Sequence, residues 1–239
     1  MRLRITVPRA SRDGPERPVD QTWELDVPDG ATVLDCLEEL KGRHDGTLTF
    51  RASCRSAICG TCAMVANGRS ILACRTQARQ AAARGGRLRL EPLRYHPVIR
   101  DLVVDLAAYW RHYAAIVPWV TPAPGSPERE HRILPRDVER MGLAETCIHC
   151  GVCLSACPIA LSDPDYLGPA ALVAAWRFVN DSRDTRRGER LRIVDSAHGP
   201  WRCHTVFNCA EACPKGIDPT QAIVRLRGLI ARERLSGRL

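Results

Sequence analysis

Twelve of the 239 residues are cysteine, and eleven of them fall into tight groups. The first group is Cys54-x4-Cys59-x2-Cys62, followed after eleven residues by Cys74. Gly60 and the small residues Ser53, Ser56, Ala57 and Thr61 surround it. An iron–sulfur cluster needs thiolates converging from a loop whose backbone N–H groups also point inward, towards the negative sulfides. Glycine and small side chains permit that approach. This spacing suits a 2Fe–2S cluster, with Cys74 arriving from the next hairpin as fourth ligand. The competing reading is a structural zinc ion, which prefers two Cys-x2-Cys knuckles and fits three ligands in one glycine-bearing loop poorly.

The second group is Cys147-x2-Cys150-x2-Cys153-x3-Cys157-Pro158. In that run the first three thiolates hold a 4Fe–4S cluster, and the cysteine before proline reaches a different one. A partner run is present: Cys203-x2-Val206-x2-Cys209-x3-Cys213-Pro214, with valine at the second ligand position. Exchanging the fourth ligands leaves Cys147, Cys150, Cys153 and Cys213 as a complete 4Fe–4S set. Cys157, Cys203 and Cys209 form a set of three beside Val206, which argues for a 3Fe–4S centre. The alternative is a 4Fe cluster whose last iron carries water or hydroxide. Cys36, on an apolar helix face, reads as a core thiol, and His149 reads as a surface residue because the thiolate set is complete without it.

Charge and composition narrow the classes. Hydrophobic residues make up 45% and charged residues 26%, as in folded soluble chains, which excludes wholesale disorder. The formal charge is +8, and all but Lys41 and Lys215 of the 35 basic residues are scattered arginines. Eleven thiolates offset by the cluster cores bring the metallated charge to about +2. The basic excess therefore compensates the cofactors, and no nucleic-acid partner is expected. Met1–Pro8 has no apolar leader region, and no window approaches the ~18 apolar residues of a spanning helix. Reduced, clustered cysteines fit a cytosolic or peripheral protein.

The elements that must position these groups divide near residue 100. Leu3, Ile5 and Val7 alternate, as do Trp23, Leu25 and Val27, predicting two half-buried strands. Thr32 opens a helix in capping-box style with Asp35, and Val33, Cys36, Leu37 and Leu40 share its inner face. Further strands are expected at Leu48–Arg51, at Met64–Ala66 turning through Asn67-Gly68 into Ser70–Leu72, and at Leu88–Leu90. This order suggests a β-grasp over residues 1–100. From Tyr95 the spacing of Val98, Leu102, Val103, Leu106 and Tyr109 reads as helical, as does Ala170–Phe178, and no strand pattern of comparable quality follows. Thr121–Pro127 reads as a surface loop. Asp218-Pro219 caps a terminal helix whose apolar face is Ile223, Leu226, Leu229 and Ile230. Arg225, Arg227, Arg232 and Arg234 around the rest of that helix suit an anionic membrane, an anchor subunit or a solvated face. The fold class is α+β: a plant-type 2Fe–2S domain (1–100), then an all-α, bacterial-ferredoxin-like two-cluster domain (101–239).

Three clusters in this order resemble the iron–sulfur subunit of succinate dehydrogenase and its relative fumarate reductase. The resemblance extends over nearly the whole chain, through Ser53-Cys-Arg-Ser-Ala-Ile-Cys-Gly-Thr-Cys-Ala-Met64, Pro97-Val-Ile-Arg-Asp-Leu-Val-Val-Asp105, Asp181-Ser-Arg-Asp184 and Cys213-Pro-Lys-Gly216. Arg202-Cys203-His204 with Asn208-Cys209 looks more like the succinate-oxidising branch. The resemblance implies an electron-transfer subunit without substrate chemistry of its own. It would accept electrons from the FAD of a flavoprotein subunit and deliver them to quinone at a membrane-anchor subunit, peripherally on the cytoplasmic face of a bacterial membrane. The chain carries no Gly-x-Gly-x-x-Gly and no P-loop, in keeping with a flavin held elsewhere. By resemblance, Pro158, His204 and Val206 line the quinone pocket. Ser162 stands where the family commonly has tryptophan, which points to a different quinone or anchor. The alternative functions are a fumarate reductase subunit, a free-standing soluble ferredoxin and, more distantly, a zinc-dependent nucleic-acid binder.

Overall fold

A computed structural model describes residues 1–14, 17–125 and 130–239. Among the described residues the chain runs β1 (Arg2–Arg9), β2 (Val19–Asp26), α1 (Val33–Glu39), β3 (Ala63–Ala66), β4 (Arg69–Leu72), α2 (Ala78–Ala81), β5 (Arg87–Glu91), β6 (Val98–Arg100) and β7 (Val103–Val104). It continues with α3 (Ala107–Ala115), α4 (Pro135–Met141), α5 (Val152–Ser155), α6 (Ile159–Ser162), α7 (Gly168–Val179), α8 (Arg187–Val194), α9 (Asn208–Glu211) and α10 (Pro219–Leu235). Two compact units result. One is Met1–Leu106 with Ile148–Ala156, and the other is Ala107–Cys147 with Cys157–Leu239.

In the first unit, five strands lie in the order β2-β1-β5-β3-β4. β1 pairs antiparallel with β2 along its whole length and parallel with β5, so the chain between them must cross over, as in a β-grasp. Leu3, Ile5 and Val7 are fully buried, as alternation requires. α1 begins with the expected capping box: the Asp35 N–H donates to Thr32 Oγ1, and Asp35 returns a carboxylate oxygen to the Thr32 N–H at 2.8 Å. Its first turn is tied to the chain around Cys74, through Leu34 N–H to the Ala73 carbonyl and Val33 N–H to that of Thr76. β3 and β4 turn through Asn67 and Gly68, both at positive φ, the geometry of a two-residue hairpin. Cys36 is a core thiol, pushed up to about 11 by burial.

Two expectations fail here. Leu48–Arg51 is no strand: the Lys41 ammonium holds the Leu48 carbonyl at 2.7 Å, and the Asp101 carboxylate takes the Thr49 N–H at 2.9 Å. Side chains occupy the backbone groups that a ladder would use. Val98–Val104 is a hairpin, β6 with β7, and not a helix. The β-branched residues prefer a pleated surface. Asp101, at φ +46°, turns the chain while its carboxylate anchors Arg9 Nε at 2.9 Å. Helix begins only at Ala107.

The second unit is helical. α7 buries ten of its twelve residues, as a helix apolar on every side must. Phe178 and Val179 of α7 share a core with Cys157 and with Ile223, Leu226 and Ile230 of α10. Asp218 caps α10 by accepting the Gln221 N–H at 2.9 Å, with Pro219 in the first turn. Arg190 of α8 is fully buried; it pairs with Asp184 at 2.6 Å and donates to the carbonyls of Ile116, Val117 and Trp119. Every nitrogen of the group thereby has a partner, as burial of a guanidinium demands. Residues 121–125 form neither helix nor strand, and Pro127 lies outside the described residues. Among the described residues no helix is long and apolar enough to cross a membrane.

Candidate metal centres

The first centre is a loop in the first unit. Arg55, Ala57 and Gly60 have φ of 56°, 56° and 74°, so the chain between Cys54 and Cys62 turns back on itself repeatedly. Those reversals aim backbone N–H groups at sulfur. The N–H groups of Ser56, Ile58 and Cys59 donate to Cys54 Sγ at 3.4, 3.3 and 3.3 Å, Cys54 N–H donates to Cys59 Sγ at 3.5 Å, and Ala57 N–H donates to Cys74 Sγ at 3.3 Å. Such a nest of donors stabilises negative charge. The Thr61 hydroxyl, 3.2 Å from Cys59 Sγ, is the largest cause bringing that thiol down to about 6. Burial instead pushes Cys62 up to about 12. A buried thiolate beside others is stable only with metal charge among them, so the donor set fits an iron–sulfur cluster.

The second centre lies wholly in the second unit. Cys157, Cys203 and Cys209 line one small cavity with Val206, His204 and Pro158. Val206 is about half exposed. Thr205 N–H donates to Cys203 Sγ, and the Thr220 hydroxyl lies 3.4 Å from Cys209 Sγ. Burial raises the Cys157 and Cys209 thiols. Three sulfurs and an apolar fourth position suit a cluster with three iron ligands. Ser162 is not on the cavity wall; it ends α6, exposed, with its hydroxyl donating to the Ile159 carbonyl at 3.0 Å.

Of the remaining cysteines, Cys150 and Cys153 belong to the first unit and Cys147 and Cys213 to the second. Cys147 and Cys213 pack against the same small apolar cluster of Ala144, Val173, Ile217 and Ala222. His149 is half-buried rather than a surface residue, at φ +53°, and burial holds its imidazole below the usual range.

Several supporting residues carry no sequence signal. Arg227 of α10 donates to the carbonyls of Pro200, at 2.8 Å, and Cys203. The buried Asp163 carboxylate accepts from His198 Nδ1 at 2.9 Å and from Arg202 Nε at 3.1 Å, tying the chain after Cys157 to the segment before Cys203. Thr220 is as remote in sequence from the ligand runs as these are. Thr61, inside the first run, was within reach of inspection: a hydroxyl between two ligands is placed to hydrogen-bond their sulfurs.

Comparison with known proteins agrees with this geometry. The family model described as a 2Fe-2S iron-sulfur cluster binding domain matches residues 4–111, and a 4Fe-4S dicluster domain matches residues 143–217. The chain is 40% identical over 226 residues to the fumarate reductase iron-sulfur subunit of Mycobacterium tuberculosis (strain CDC 1551 / Oshkosh), covering 92% of this chain and 91% of that one. It is 37% identical over 229 residues to the succinate dehydrogenase iron-sulfur subunit of Paracoccus denitrificans, covering 95% and 87%. A chain of the Mycobacterium smegmatis Sdh1 complex in the apo form superposes with a TM-score of 0.86 at 26% identity, covering 98% of this chain and 97% of that one. With its 2Fe–2S and 4Fe–4S domains in this order, the chain belongs to the iron–sulfur subunits of the succinate dehydrogenase and fumarate reductase family, electron-transfer components of an oxidoreductase.

Proposed function

We propose that the chain passes electrons singly from the FAD of a partner flavoprotein through 2Fe–2S, 4Fe–4S and 3Fe–4S clusters to quinone beside a membrane-anchor subunit. It does so peripherally, on the cytoplasmic face of a bacterial membrane. The ligand sets are Cys54, Cys59, Cys62 and Cys74 for the first cluster and Cys147, Cys150, Cys153 and Cys213 for the second. Cys157, Cys203 and Cys209 hold the third. When bound, the clusters supply one-electron redox centres.

The observation that carries this reading is the cavity in which Cys157, Cys203 and Cys209 meet Val206, with His204 and Pro158 on its wall. Val206 offers no electron pair to a fourth iron. His204 is exposed, so its imidazole can hydrogen-bond a quinone oxygen and deliver a proton as electrons arrive. In the first loop, the N–H donors on Cys54 hold its sulfur against the charge added on reduction.

Succinate oxidation is the direction favoured by Arg202-Cys203-His204 with Asn208-Cys209. The fumarate reductase relative, at 40% identity, favours the reverse flow as a second reading. The test is electron paramagnetic resonance of the natively purified complex with assays in both directions. A reduced 2Fe–2S signal, an oxidised 3Fe–4S signal and faster succinate:quinone reduction are expected. Absence of the oxidised 3Fe–4S signal would remove the third cluster, and faster fumarate reduction would reverse the direction.

A further inference from the structure

The segment Ile148–Ala156, carrying Cys150 and Cys153, belongs to the same unit as the Cys54–Cys62 loop. The two touch at Gly60, the buried residue between Cys59 and Cys62. A β-carbon placed on Gly60 would lie 2.7 Å from Cys150 Cβ and 3.0 Å from both Cys150 Cα and the Ile148 carbonyl oxygen. No side chain fits that gap, and φ of +74° independently favours glycine. The other end of the segment is clamped as well. Ser155 is fully buried, and its Oγ accepts from the Ser70 hydroxyl at 2.9 Å and from the Arg94 N–H at 3.0 Å. Ser70 lies on β4, which pairs with β3, the strand that begins directly after Cys62. One hairpin therefore fixes both the loop and the segment that rests on it.

We propose that Gly60 and Ser155 are positioning residues for electron transfer: they seat Cys150 against the Cys59–Gly60 backbone, which is where an electron leaves the first ligand loop for the second. This rests on the reading that Cys54, Cys59, Cys62 and Cys74 hold one cluster while Cys150 and Cys153 help to hold another. Tunnelling falls off exponentially with distance and more steeply through gaps than along bonds. The route from Cys59 Sγ along its own backbone to Gly60, then across one van der Waals contact to Cys150 Cβ and its sulfur, contains a single gap. One electron leaves the reduced first centre and one arrives at the second; no bond forms or breaks and no proton need move.

The test uses the natively purified complex with Gly60→Ala, Ser155→Ala and, as control, Gly30→Ala. Gly30 has φ +90° and nothing within 4 Å of an added β-carbon, so it imposes backbone strain without the contact. The readout is microwave power saturation of the reduced 2Fe–2S signal, before and after the 4Fe–4S centre is reduced, with iron and sulfide content measured in parallel. In the unmodified complex, reduction of the second centre should speed relaxation of the first. Gly60→Ala is expected to retain both clusters and lose that enhancement. Ser155→Ala, which leaves both ligand loops intact, should lose part of it and decides the matter if Gly60→Ala does not accumulate. Gly30→Ala should keep it in full. Full enhancement in both seat variants overturns the proposal, as does its loss in Gly30→Ala. Absence of a 2Fe–2S signal from the unmodified complex would instead overturn the cluster reading beneath it.

Discussion

The two thiol centres gather sulfur by different means. In the first, backbone does the work: positive-φ residues at Arg55, Ala57 and Gly60 turn one short loop so that five of its N–H groups face sulfur. In the second, helix packing does it. Cys157 and Cys209 are buried, Cys203 packs against the α7–α10 core, and Thr220 and Arg227 reach in from α10. The first arrangement is local, so it is set by a run of about twenty residues. The second draws on residues from 157 to 227 and exists only once the helices have docked.

The largest test of the contrast exchanges the two Cys-Pro cysteines. Cys213 is nearer in sequence to Cys203 and Cys209, yet it packs with Cys147 against Ala144 and Ile217. Cys213→Ser is expected to abolish the 4Fe–4S signal and leave the 2Fe–2S signal in place. Cys157→Ser should abolish the 3Fe–4S signal and block quinone reduction. If the two losses are interchanged, the ligand sets are uncrossed. Because cluster binding and folding are coupled, only variants that accumulate are compared.

Next in size is the scaffold of the second centre. Arg190→Met removes the buried partner of the Asp184 carboxylate and the guanidinium donors from three carbonyls, which should cost about 3–5 kcal/mol. Thermal melting followed by the absorbance of each cluster should show the second unit failing first, while the 2Fe–2S bands persist. Simultaneous loss of all bands would mean that the two units share one cooperative transition.

Val206→Cys sharpens the contrast without removing anything. A fourth thiol on the cavity wall should admit a fourth iron, eliminate the oxidised 3Fe–4S signal and lower that centre's potential. An unchanged oxidised signal in the metallated variant would show that the valine is not what keeps the cluster at three irons.

The smallest expected effects come from the hydroxyls. Thr61→Val removes the partner 3.2 Å from Cys59 Sγ, and Thr220→Val the one 3.4 Å from Cys209 Sγ. Each should lower the potential of its own centre by the equivalent of roughly 1 kcal/mol, since a lost hydrogen bond to sulfur destabilises the reduced form. Redox titration of the separate signals reads this. A shift in the other centre would contradict the independence drawn above.

Much of this molecule was legible in the linear chain, because the informative features are local. Alternation at Leu3, Ile5 and Val7, the Thr32 capping box, the Asn67-Gly68 turn and the Asp218-Pro219 helix start each involve neighbours in sequence, and each stands as read. The cysteine spacings are local too, and they led to the family and to the cluster types of its two domains. Where competition between local and distant partners decides, sequence reading failed. Val98–Tyr109 carries a helical period, yet Val98–Val104 forms a hairpin and helix starts only at Ala107, because Asp101 turns the chain and is anchored by Arg9 and Thr49, far away in sequence. Leu48–Arg51 has strand residues, but its backbone is taken by Lys41 and Asp101. The tertiary structure alone decided that Ile148–Ala156 leaves its neighbours to join the first unit, that Gly60 meets Cys150, and that Thr220, Arg227 and Asp163 support the second centre. Those contacts depend on which surfaces meet after the chain has collapsed, and sequence spacing carries no record of such meetings.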